Sequence, residues 1–196
     1  MSTLNVAALQ DVDAAGSKAT LPTTGANFTL GPGWGALEFV AEAAITGGPT
    51  NVDVTSLAAG YSYLFSIESV GPATDSVTMH ARMSQSTTFL TGGSDYSTQQ
   101  APADHIKIST QVRGGAAGET GSYLIYLPSP GRAGVDHTIL PLRGVEDYTD
   151  GDKLKGIVDG GGIDLNQTAV DGIRFYWSSG VWQNLGHIIT LRWRNS

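Results

Sequence analysis

The chain has 196 residues, a formal net charge of −7 and no cysteine. That length allows one domain with a real core, and the acidity excludes the basic patch of a nucleic-acid binder. The missing thiols exclude a disulfide, a thiolate metal site and a cysteine nucleophile. Only 15% of residues are charged and 26 are glycine. With abundant Thr, Ser and Val, that balance describes a turn-rich all-β chain. No apolar run approaches the roughly 18 residues of a membrane span. The first residues lack the charged and apolar regions of a signal peptide, so neither membrane insertion nor a cleaved leader is expected.

Residues 1–33 show no sustained periodicity. Leu4, Val6, Leu9 and Val12 form a short apolar set, and Thr20–Pro32 has loop composition. The segment reads as an extended arm for attachment, or as a frayed terminus with an edge strand. A β-domain is expected over 34–196. In Ala36–Ile45, Leu37, Phe39 and Ala41 alternate with Glu38, Val40 and Glu42. Its Ala and Glu would suit a helix, but the tight Gly and Pro boundaries favour a strand. Val52–Leu57 is a short strand. Tyr61–Val70 sets Tyr61, Tyr63, Phe65 and Ile67 on one face, and Gly71–Asp75 is a turn. Ser76–Ser84 alternates again, and the two strands are expected to pair as a hairpin.

Ser86–Asp104 reads as a long surface loop, of the kind that often carries function. Strands follow at His105–Val112, Ser122–Leu127 and Asp136–Arg143, where Pro141 implies an edge or a bulge. A short strand lies near Leu154–Val158. At the end, Ile173, Phe175 and Trp177 alternate with Arg174 and Tyr176. Beyond Ser178–Gly180, Ile188, Thr190, Arg192 and Arg194 alternate with Ile189, Leu191 and Trp193. These last two strands look like a closing hairpin, each with one apolar face. Eight to ten short strands with no helix of three turns indicate an antiparallel β-sandwich, jelly-roll-like.

Little catalytic chemistry is visible. His80, His105, His137 and His187 stand apart, without metal-ligand spacing. The acidic stretch Glu146–Asp152 offers Asp147, Asp150 and Asp152 as hard ligands, but lacks the EF-hand pattern and reads better as a solvated turn. No nucleophile elbow surrounds Ser94, and Glu38, Glu42 and Glu68 sit at solvent-face positions. Gly160–Gly162 precedes no helix and so cradles no phosphate. A hydrolase would need two or more of Glu68, Asp95, His105 and Asp147 to converge. No cofactor, metal or catalytic residue is expected. The aromatics Tyr96, Tyr148, Tyr176, Trp182 and Trp193 are the candidate interaction surface, because an outward ring can stack on a sugar or pack on another subunit.

Three segments carry a resemblance: Tyr61–Asp75 (YSYLFSIESVGPATD), Thr91–Tyr96 (TGGSDY) and Thr168–Gly180 (TAVDGIRFYWSSG), with MSTLNV at the start. Together they resemble structural proteins of tailed bacteriophages, the tail, tail-fibre or head-fibre β-domain proteins. The likeness spans roughly Tyr61 to Arg194 and departs at Val181–Asn184. It implies a non-enzymatic virion component that self-associates, as a homotrimer in fibre-like assemblies. It also implies contact with other capsid or tail proteins, and attachment to a host-surface glycan. A free carbohydrate-binding β-sandwich is the alternative, motivated by Tyr96, Tyr148 and Trp182 as exposed loop aromatics.

Overall fold

In a computed structural model of the chain, residues 37–74, 77–97, 102–109, 120–146, 155–157 and 161–195 are described. The expected arm at 1–33 and the acidic Asp147, Asp150 and Asp152 lie outside them. Leu37–Asn195 forms one compact unit. Its strands are β1 (Glu38–Ala44), β2 (Asn51–Thr55), β3 (Tyr61–Val70), β4 (Met79–Gln85), β5 (Thr88–Phe89), β6 (Tyr96–Ser97) and β7 (Pro102–Ala103). They continue with β8 (Ile106–Lys107), β9 (Gly121–Leu127), β10 (His137–Glu146), β11 (Lys155–Ile157), β12 (Gly162–Asp164), β13 (Gly172–Trp177) and β14 (His187–Arg194). No helix occurs among the described residues.

The strands form two antiparallel sheets packed face to face. The larger runs β1-β14-β3-β9-β10-β12-β6-β7, with β11 also on β10. The smaller runs β2-β13-β4-β5, with β8 also on β4. The pairs β1/β14, β2/β13, β3/β9 and β4/β8 are nested. One long hairpin folded over itself gives that nesting, which is jelly-roll topology. Beyond β10 the large sheet curls back toward the small one. The Gly161 N–H donates to the Lys107 carbonyl at 2.9 Å, and the Met83 N–H donates to the Tyr96 hydroxyl at 2.8 Å.

Period-two side chains build the core between the sheets. Tyr63, Phe65, Ile67, Tyr123, Ile125, Leu127 and Ile188 point inward from the large sheet. Met79, Ala81, Met83, Ile173, Phe175 and Trp177 meet them from the small one. Phe65 and Phe175 touch edge to face across the core, centroids 5.5 Å apart.

Neither expected hairpin forms. β3 pairs with β14 and β9, whereas β4 pairs with β13, β5 and β8. β13 and β14 likewise sit in opposite sheets. β3 and β4 bury their apolar sides by facing each other across the core instead of lying side by side, and β14 turns Ile188 and Thr190 to the core while Ile189, Leu191 and Trp193 point outward. The connection from Ser178 to Gly186 is long enough to turn that corner. The bulge anticipated at Pro141 is present, between Pro141 and Arg143, inside the sheet and not at its edge.

Candidate interaction face

The outer face of the large sheet departs from ordinary patterning. Antiparallel sheets in sandwiches usually turn polar residues to solvent. Here one cross-strand row reads Phe39–Leu191–Leu64–Tyr126–Leu140, one residue from each of β1, β14, β3, β9 and β10. All five lie outward, because Tyr63, Phe65, Ile125, Ile139 and Ile188 on β3, β9, β10 and β14 are buried inside, and Phe39 follows from its register with Leu191. The next row reads Glu42–Ile189–Ser66–Leu124–Arg143. Trp193 extends the patch and stacks on Tyr126, centroids 5.1 Å apart and 19° between planes.

Both flanking strands carry a bulge, at adjacent levels, between Phe39 and Ala41 on β1 and between Pro141 and Arg143 on β10. An extra residue on each strand keeps Phe39 and Glu42, and Leu140 and Arg143, on one face despite their odd spacing. It also leaves Val40 and Leu142 uncovered. Exposures are 61% for Phe39, 40% for Val40, 42% for Leu140 and 47% for Leu142. Ile163, paired with Thr138 next to Leu140, is exposed too. Exposed apolar area grouped in this way is uncommon on the surface of a monomeric protein. Covering it would recover on the order of 25 cal/mol per Å² of apolar area.

At one end the face turns polar. His187 lies between two carboxylates, Nδ1 3.9 Å from Glu42 Oε1 and Nε2 3.4 Å from Glu68 Oε2. All three are partly exposed, so these pairs contribute little to stability.

The outer face of the small sheet is a polar ladder whose two arginines are already paired with carboxylates. Arg174 donates two bonds to Asp53 at 2.7 Å, and its guanidinium lies 4.0 Å from the Phe89 ring centroid. Asp53 holds the Arg174 pKa above its ordinary value. Arg82 donates to the Asp104 carbonyl and carboxylate and lies over the Tyr176 ring. His105 is 2.7 Å from Asp104 and stacks on His80, centroids 3.9 Å apart. The contact with His105 holds the Asp104 carboxyl below the usual carboxylate range. Burial, with His105 and Lys107 adding to it, pushes the His80 pKa down to about 3. Burial also pushes the Tyr176 hydroxyl up to about 12.

A third polar group is wholly internal. His137 and Asp164 are register partners on β10 and β12, both fully buried, with Nδ1 and Oδ2 3.8 Å apart. Asp164 accepts from Gln85 Nε2 at 3.0 Å and from the Asn166 N–H at 2.9 Å. His137 Nε2 lies 2.8 Å from the Arg132 carbonyl oxygen, so that nitrogen carries the proton. Among the described residues, no three His, Asp or Glu side chains converge as a metal site. Of the hydrolase candidates, Glu68 meets His187, Asp95 bonds the Gly92 N–H, and His105 meets Asp104. Asp147 is outside the described residues.

The candidate aromatics scatter. Trp193 is half-buried on the apolar outer face, and Tyr176 is half-buried in the polar ladder on the opposite side of the sandwich. Tyr148 is outside the described residues. Tyr96 and Trp182, expected as exposed loop rings, are 0% and 1% exposed. Tyr96 belongs to β6, so Ser86–Asp104 is not a plain surface loop, and its hydroxyl is fixed by the Met83 N–H. Trp182 packs on Trp177 at 5.3 Å, and Pro72 bridges to it. The sequence does carry part of the apolar face, as the near-continuous apolar run SYLIYL and as the alternating Ile189, Leu191 and Trp193. A scan against family models, a search of curated proteins and a search of solved structures all find no match to this chain.

Proposed function

We propose that the chain is a non-enzymatic structural protein of a tailed-bacteriophage virion, acting through symmetric association with copies of itself and with neighbouring capsid or tail proteins. One observation carries the association: the apolar row Phe39–Leu191–Leu64–Tyr126–Leu140 on the outside of the large sheet. A chain that works alone has no reason to keep that row in water. The phage assignment rests on the residue resemblance in Tyr61–Asp75, Thr91–Tyr96 and Thr168–Gly180. The jelly roll agrees with it, since this architecture recurs in viral capsid proteins, although a fold by itself assigns no function.

Association is preferred over carbohydrate binding because two rings that motivated a glycan site, Tyr96 and Trp182, are inside the protein. Trp193 has one face taken by Tyr126. Immunogold electron microscopy of particles from a phage that encodes this chain tests the assignment. Regular labelling at one location on head or tail is expected. Particles that carry none of the protein would overturn it.

A further inference from the structure

We propose that the partner covering the outer face of the large sheet is a second copy of this chain, related by a two-fold axis lying in the interface and running along β3. The inference rests on reading that face as an association surface, and adds the occupant and its orientation.

The face is self-complementary under that operation. β3 is the middle of the five strands β1-β14-β3-β9-β10. A half-turn about β3 exchanges left and right but keeps each level along the strands. The β1 of one copy then lies over the β10 of the other. Phe39 meets Leu140, Leu191 meets Tyr126, and Leu64 meets its own copy near the axis. The two bulge residues, Val40 and Leu142, come within about one residue step of each other.

Charge settles the direction. Glu42 stands at the β1 end of its row and Arg143 at the β10 end. Four inter-strand steps of about 4.8 Å keep them roughly 19 Å apart within one copy. The half-turn sets Glu42 of each copy over Arg143 of the other, giving two reciprocal pairs at the rim. Arg143 is exposed and has no ion pair among the described residues. Glu42 has only the 3.9 Å approach of His187. Two chains of net charge −7 repel at long range, so an interface between them benefits from balanced charge at its rim. A half-turn about an axis across the strands would keep Glu42 on the β1 side and bring acidic ends toward each other.

The five strands and about six residues of each cover an area on the order of 20 by 20 Å, about 400 Å². That is about half of the roughly 800 Å² per partner of a standard interface, so a contact confined to this face belongs to the smaller, weaker class. An isologous contact of this kind is the commonest way for two identical chains to associate.

The test is a charge exchange on the full chain, read by sedimentation velocity, with circular dichroism to confirm an unchanged fold. The wild type should sediment as a dimer. Glu42→Arg alone and Arg143→Glu alone should each weaken it by about tenfold or more. The double variant should return to within about threefold of wild type. A Leu64→Cys variant of this cysteine-free chain should also cross-link to itself with a short bis-maleimide. An oligomer indifferent to all three charge variants, or a double variant that fails to recover, would overturn this geometry while leaving association intact. A wild-type monomer at millimolar concentration would overturn both.

Discussion

Glu42 and Arg143 lie on the same outward row of the large sheet, one at each end, with Ile189, Ser66 and Leu124 between them. Opposite charges so placed cannot pair within the chain. The apolar residues beside them gain nothing from water. Both facts make sense when the sheet is half of something larger, and the remaining predictions separate that surface from the interior that supports it.

Trp182→Ala should be a stability variant and not a binding variant. The indole is buried against Trp177, and its backbone N–H donates to the Pro49 carbonyl at 2.9 Å. Removing so large a buried ring costs about 3–5 kcal/mol. Urea unfolding should show a large drop in midpoint. A change under about 1 kcal/mol would mean the ring is not in the core.

Gly186→Ala should also destabilise. Gly186 has φ +80°, and an added Cβ would run into the carbonyl oxygens of Glu68 and Ser69 on β3. The glycine brings the chain into β14, and its carbonyl accepts from the Ile45 N–H at 3.0 Å. Left-handed strain and a backbone clash together should cost about 2 kcal/mol or more. Thermal melting of the purified variant checks it, and an unchanged midpoint would contradict the turn.

Asp164→Ala should loosen the curled end of the large sheet. It removes the acceptor for Gln85 Nε2 and the Asn166 N–H, and leaves His137 Nδ1 buried beside a void. The cost should be about 2–4 kcal/mol, with Asp164→Asn milder because it keeps one acceptor. Hydrogen exchange should localise the loss to β12, β6 and the facing part of β10. Equal loosening of β1 and β14 would show that the pair is not local in effect.

Acid should weaken the fold partly through His80. Its folded pKa is pushed down to about 3, from an ordinary 6.5. Between those values the unfolded chain binds a proton that the folded chain refuses, so stability rises with pH there. The contribution is complete above about pH 6.5 and is lost as pH falls toward 3, at no more than about 1.4 kcal/mol per unit. His80→Gln removes the group. Between pH 7 and 5 the variant should lose about 1–2 kcal/mol less than wild type in urea titrations. Equal losses would contradict a buried neutral imidazole.

Period-two patterning made the strands legible, from Tyr63–Phe65–Ile67 to Ile173–Phe175–Trp177. It did not make their partners legible. Alternation tells which side of a strand is apolar, but not whether the apolar side meets a neighbour's strand or a facing sheet. Both apparent hairpins therefore dissolved into opposite sheets. Tyr96 was hidden because β6 has two residues, too few to show a period. The His80–His105 stack joins residues 25 positions apart through the β4/β8 pairing, which no local spacing reports. The outer apolar row was half legible: Leu64, Tyr126 and Leu191 stand in apolar runs, but their alignment across five strands needs the register. Pro141 announces the bulge on β10, but the one on β1 that shifts Glu42 onto that face leaves no mark in composition.

The most direct measurement is the solution mass of the chain by light scattering, beside that of Leu64→Asp, which places a charge at the centre of the face without touching the core. Wild type should exceed the 20.4 kDa of one chain, and Leu64→Asp should fall to that mass while keeping its circular dichroism. A wild type of 20.4 kDa at every concentration, or an assembly that Leu64→Asp leaves intact, would contradict the association of this face.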